Sequence, residues 1–176
     1  CQLEFLKKKK NNSVILNYDE KSTDLFYWYQ QLMAESLGKR NTGILPIVSN
    51  MPKDNHSLMQ FYLDGPKNYF FTFFFLKEKY CQKLNNKNIL GSRSYLKNKS
   101  LREILFSQFV ATQKVFNKKK IPYRTFVINN RSEEALSELF TFFILEVILL
   151  GKFMKNNPFD QPAVELIKKE TNKLLI

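Results

Sequence analysis

Residues 68–76 read NYFFTFFFL, a run so dense in phenylalanine that neither face of an extended chain could be left to water. A strand that is apolar on both faces belongs in a sheet covered on both sides, which is the habit of parallel sheets layered by helices. Working outward, SVILNY at 13–18 is a short apolar run with β-branched residues and predicts a buried strand, and IPYRTFVIN at 121–129 reads as another strand. GILPIVS at 43–49 reads as extended chain or loop, because Pro46 restricts the residue before it. Between these runs lie helical patterns. Leu25, Trp28, Tyr29, Leu32 and Met33 recur at helical spacing. Ser22, Thr23 or Asp24 can cap that helix and Gly38 can end it. A short helix over 57–63 is closed by Gly65 and Pro66, and Ser100 with Glu103 forms a capping box that opens a helix to about residue 117. Further helices are predicted over 132–154 and from Pro162 onward, while NNKNILGSRS at 85–94 reads as a polar loop. No internal repeat is visible. The alternation predicts one α/β domain over residues 1–176, a three-layer αβα sandwich around a mostly parallel sheet. Ligands of such sheets gather at the C-terminal ends of the strands and at helix N-termini.

The 176 residues hold 28 Lys and Arg against 16 Asp and Glu, a formal charge of +12. Such a charge suits a nucleic acid, an anionic membrane or an anionic substrate, and it speaks to partners rather than to fold. The lysines fall in many short clusters, such as 7–10 and 118–120. A nucleic-acid surface would instead interleave basic and aromatic residues on one face. Solvated lysines are therefore the plain reading, and no nucleic-acid partner is expected. LFTFFILEVILL at 139–150 resembles a membrane span, but it includes Glu146, and twelve helical residues cover roughly 18 Å of a ~30 Å hydrocarbon core. A buried or subunit-interface helix fits better, and no membrane partner is expected. Two cysteines, Cys1 and Cys81, give neither a disulfide framework nor metal-ligand spacing, so a reducing cytoplasm is the expected compartment. The chain opens on Cys1 with no signal-like segment behind it, which suggests the C-terminal part of a longer protein.

Single polar residues decide little. His56 is the chain's one histidine, Glu35 sits near a helix end, and Lys168 lies beside Lys169 on the last helix. Each taken alone is an ordinary structural or solvated side chain. Three stretches in order, WYQQLMAESLGK, DNHSLMQFYLDGP and NPFDQPAVELIKK, together resemble the C-terminal part of the glucose-6-phosphate isomerase family. The first matches the family's Gln-x-x-x-Glu-Ser-x-Gly-Lys pattern through Gln31, Glu35, Ser36, Gly38 and Lys39. The second matches its His-(Ser/Ala)-x-x-Gln pattern through His56, Ser57 and Gln60, and the third its Asp-Gln-x-Gly-Val-Glu-x-x-Lys pattern through Asp160, Gln161, Val164, Glu165 and Lys168.

The resemblance implies a sugar-isomerase (SIS-type) domain, a fragment of a longer two-domain protein. It also implies an aldose–ketose isomerisation of glucose 6-phosphate and fructose 6-phosphate, with neither metal nor cofactor. In that chemistry Glu35 would be the base that moves a proton between C2 and C1 through an enediol(ate). His56 and Lys168 would assist ring opening, for which a near-neutral imidazole and a charge-stabilising ammonium are suited. Gln31 and Gln161 would contact the substrate through amides that donate and accept without adding charge. A homodimer that shares His56 across its interface is implied as well.

Ala163 stands where the family usually has glycine, and PKDN before His56 lacks the glycine often found there. No stretch matches the family's Ser/Thr-rich phosphate loop or its active-site arginine, so the chain is expected to supply only part of a site. The alternative is a non-catalytic sugar-phosphate-binding module of the same fold, which would have no need of a proton-transfer base.

Overall fold

The computed structural model describes residues 2–77, 83 and 95–176. Cys1, Cys81 and the polar loop expected at 85–94 lie outside the described residues. The elements run α1 (Gln2–Lys7), β1 (Asn12–Asn17), α2 (Thr23–Leu37), β2 (Leu45–Asn50), α3 (Met59–Asp64), β3 (Tyr69–Leu76), α4 (Leu101–Lys118), β4 (Tyr123–Ile128), α5 (Glu133–Phe153) and α6 (Pro162–Leu175), with single 3₁₀ turns at Glu20–Ser22 and Lys53–Asn55. The four strands form one all-parallel sheet in the order β2-β1-β3-β4.

β3 occupies the middle of this sheet, and side chains on a strand point alternately to opposite faces. Phe71, Phe73 and Phe75 join Val14 and Leu16 of β1 under Met59 and Tyr62 of α3 and Phe109 and Phe116 of α4. Phe70 and Phe74 join Ile15 under Phe26, Tyr29, Met33 and Leu37 of α2 and Leu139, Phe143, Val147 and Leu150 of α5. The result is the three-layer sandwich that the run at 68–76 predicts. The capping box at Ser100 and Glu103 is formed on both its arms, and Ser132 caps α5 through the Ala135 N–H.

Two segments are more regular than their sequence reading required. The basic start contains the helix α1, whose Phe5 stacks on Phe70 with centroids 5.1 Å apart. GILPIVS contributes a true strand, β2, despite Pro46. The reason lies in its place at the sheet edge. Leu45 N donates to Asn11 O across the ladder at 2.7 Å, so the next residue's nitrogen faces the open side, where proline's missing N–H costs nothing. Pro46 O, facing the same way, accepts from Gln30 Nε2 at 2.8 Å.

One polar network crosses the second hydrophobic layer. Arg124 of β4 makes a two-pronged ion pair with Glu146 of α5 and donates through Nε to Thr72 Oγ1 at 3.0 Å. Tyr29 of α2 donates to Glu146 Oε2 at 2.8 Å and accepts from Gln2 at 3.0 Å. Burial drives the Tyr29 phenol far above its ordinary range, and the Glu146 charge adds to that, so it remains a donor. The charge at position 146 is thus matched inside the domain, and among the described residues no helix is long and apolar enough to cross a membrane.

Removing one member of a largely buried pair leaves its partner's charge uncompensated. Glu146→Leu should destabilise the domain by about 3–5 kcal/mol, whereas Arg124→Met with Glu146→Leu should recover most of that loss. Urea unfolding of the two proteins checks this, and equal losses in both would refute it.

Candidate functional site

The site begins where α2 stops. Gly38 N donates back to Ala34 O at 3.0 Å, and the chain reverses in a tight turn closed by Lys39 N to Thr42 O (3.0 Å) and Thr42 N to Lys39 O (2.9 Å). Arg40 and Asn41 take φ of 53° and 59° at the turn's centre, the two positive angles that a type I′ turn needs. Gly43 follows at φ 154°, where a Cβ would lie 3.0 Å from the Gly38 Cα, so the two strands of this reversal fit only with glycine there. Buried Asn156, from the segment after α5, donates to Leu37 O at 3.3 Å and to Thr42 Oγ1 at 3.2 Å. It thereby adds a second donor to Leu37 O, which also accepts from Lys39 N at 3.0 Å where α2 ends.

Gln31 and Glu35 stand four residues apart on one face of α2. Glu35 accepts from Gln31 Nε2 at 2.9 Å on one oxygen and from Gln161 Nε2 at 2.6 Å on the other. Gln161 is the residue that precedes α6. Beside this pair, Lys39 donates to Asn157 O and to Asp160 Oδ1, the latter at 2.6 Å. Its side chain is only 10% exposed, while that of Asp160 is 54% exposed. The Lys39 hydrogen bond holds the Asp160 carboxyl below its ordinary value of 3.8. These residues wall a cleft of about 810 Å³ between the end of α2 and the start of α6, with Glu35, Lys39, Arg40, Asn156 and Gln161 on its rim.

The structure therefore brings together Gln31, Glu35 and Gln161 and leaves the other two expected residues elsewhere. Lys168 lies two turns further along α6, roughly 10 Å from Gln161 along the axis, and is exposed and paired with Glu165 at 2.7 Å. His56 lies on the connection after β2, exposed, and lines a different cleft of about 630 Å³ with Tyr95, Lys99, Glu103 and Gln108. The topology explains the separation. α2 leaves the C-terminal end of β1 and runs back along the sheet, so its last turn sits beside the strands' starts: Ala34 and Gly38 share a depression with Asn11, Asn12 and Leu45. The segment before His56 is fixed at the opposite end, where Asn50 N donates to Asp54 Oδ2 at 2.9 Å. Six-residue strands put about 20 Å between the two ends. Glu35 thus lies away from the strands' C-terminal ends, because a helix that returns along the sheet delivers its own C-terminus to the other edge.

Sequence reading assigned no role to Lys39, Asp160 or Asn156. Two of these sit inside the matched stretches, and their joint presence there was the available signal; only tertiary structure pairs them across 121 residues.

With this geometry in hand, comparison with known proteins is informative. No family model matches the chain. The chain is 36% identical over 173 residues to a glucose-6-phosphate isomerase of Mycoplasmopsis pulmonis, covering 97% of itself and 40% of that protein. It is 33% identical over 169 residues to the glucose-6-phosphate isomerase of Methanocaldococcus jannaschii, with 93% and 40% covered. Among solved structures it is similar to a hypothetical protein of Thermus thermophilus, with a TM-score of 0.90 and 27% identity over 99% of this chain and 43% of that one. A glucose-6-phosphate isomerase from Chlamydia trachomatis shares the fold, with a TM-score of 0.73 and 19% identity over 94% of this chain and 34% of that one. The resemblance seen in three short stretches extends along nearly the whole chain, which spans about two fifths of the length of the curated relatives it matches.

The Lys39–Asp160 pair has a definite pH signature. A carboxyl held low in the folded state contributes its full stability above the ordinary value of 3.8 and loses it as pH falls through the lowered native value. A carboxylate ¹³C titration should place the Asp160 midpoint below 3.8 in the native chain and higher in Lys39→Met. An identical midpoint in both proteins would show that Lys39 is not the cause.

Proposed function

We propose that this chain is the C-terminal sugar-isomerase domain of a glucose-6-phosphate isomerase, working in the cytoplasm on the glucose 6-phosphate and fructose 6-phosphate pair. The observation that carries the reading is Glu35: a carboxylate on the rim of a cleft, with one amide donor on each oxygen. Two donors fix the carboxylate's plane, which is needed if one group is to take a proton from C2 and return it to C1 on the same face of an enediol(ate). Gln31 and Gln161, already on Glu35, are placed to hold the sugar hydroxyls beside it. His56 and Lys168 serve ring opening. The phosphate anchor and the arginine come from the part of the protein that the relatives possess and this chain does not span.

The separation of Glu35 from His56 supports a shared site. They lie at opposite ends of the sheet, about 20 Å apart along the strands, so one chain cannot bring both to one hexose. A two-fold dimer in which each copy lends its His56 to the other's Glu35 removes the difficulty. The alternative of a silent sugar-phosphate-binding module leaves the doubly held Glu35 without a purpose.

The reading is tested in a chimera that joins this chain to the remainder of the Mycoplasmopsis pulmonis relative. The chimera should isomerise glucose 6-phosphate, and the 176-residue chain alone should do so very poorly, since remote phosphate binding normally orients the reacting carbons. A folded but inactive chimera would overturn the reading. Glu35→Gln, which keeps the shape and removes the base, should lower turnover and solvent proton exchange by at least ~10²-fold. Survival of both would mean that another residue is the base.

Sharing of His56 is tested by mixing Glu35→Gln and His56→Ala chimeras, each nearly inactive. A mixed dimer has one site with both defects and one with neither, so random subunit exchange should recover roughly a quarter of the unmutated activity. No recovery, with exchange confirmed by mass, would place His56 in the site of its own chain.

A further inference from the structure

We propose that Lys39 is a positioning residue: it latches the segment before α6 onto the end of α2 and so keeps Gln161 on Glu35. The argument starts from how little else holds α6. None of its residues is buried, and Leu166, Ile167, Leu174 and Leu175 are all largely exposed. A helix of 14 residues without a packed face is marginal by itself, so its direction is set by whatever fixes its first residue. That fixing is polar. Asn156 ties the segment to Leu37 and Thr42, Lys39 ties it through Asn157 O and Asp160, and Gln161 then meets Glu35.

Of these ties, that of Lys39 rests on a charged side chain with little access to water. An ammonium on a side chain that is only 10% exposed must find acceptors, and both of those it has belong to the segment it holds. Its own backbone is rigid, because both its N–H and its C=O are bonded within the turn that closes at Thr42. The Gln161–Glu35 bond is exposed, as are the bonds of Lys39, and two exposed groups stay bonded when neighbouring ties keep them close. Lys39 and Asp160 do this one residue away. The catalytic meaning of the latch rests on the isomerase reading; the positional claim does not.

The test uses the ¹⁵N-labelled 176-residue chain and follows the side-chain amide of Gln161, with Glu35→Ala as the reference for a detached Gln161. Lys39→Met and Asp160→Asn should each move that resonance to the detached position and make the first-turn amides of α6 exchange roughly tenfold faster. Lys39→Arg, which keeps the charge and reach, should retain the native resonance. A Gln161 resonance unmoved in Asp160→Asn overturns the proposal; that side chain is half exposed, so its substitution does not depend on the core surviving. If Lys39→Met unfolds, as Trp28 fluorescence would reveal, Asp160→Asn and Lys39→Arg still decide the matter. A moved resonance together with an inactive chimera would keep the latch and reject the isomerase reading.

Discussion

Everything in this domain follows from the need to cover β3 on both sides. Its side chains alternate between two apolar layers, five of them phenylalanine, and a strand of that composition is stable only at the centre of a sheet with helices above and below. Covering two faces of a parallel sheet requires helical crossovers. Each crossover helix must run back along the sheet before the next strand begins. The positions of helix ends, and therefore of any side chain near them, are set by this requirement.

The candidate site is a product of that geometry. α2 returns to the starting edge of the strands and ends there at Gly38, with Glu35 on its last turn. α5, covering the same face, ends at the same edge and delivers Asn156 to the carbonyl of Leu37. The end of α2 and the start of α6 form the walls of the cleft. What separates them is filled by polar ties rather than by packing, so α2 and α5 are held by a hydrophobic layer and α6 by hydrogen bonds and one ion pair. A site at the junction of a rigid layer and a tethered helix combines a fixed carboxylate, Glu35, with a tethered amide, Gln161.

The buried Arg124–Glu146 pair belongs to the rigid side of this division. It joins β4, α5 and, through Tyr29, α2, the three elements that carry or face the cleft-bearing layer. A charged network of this kind adds little net stability, but it admits few alternative packings because every member needs its partners at defined distances. It fixes how α5 sits against the sheet, and hence where Asn156 arrives.

How much of this was legible in the sequence depends on the range of the interaction. Periodicity and capping residues determined the helices and strands, since these depend on neighbours within a few residues: NYFFTFFFL demanded a doubly covered strand, and Ser100 with Glu103 marked a helix start that the structure keeps. The pairing of Gln31 with Glu35 could also be read, being four residues apart on one helix. Pro46 left extended chain and loop both open, and the edge position that makes its missing N–H harmless is a property of the sheet. The bond from Gln161 to Glu35 spans 126 residues, and that from Lys39 to Asp160 spans 121. Neither leaves a local signature, because each exists only once α2 and α5 have been laid on the same face of the sheet. The opposition of Glu35 and His56 across the sheet is likewise a consequence of crossover direction, which tertiary structure alone decides.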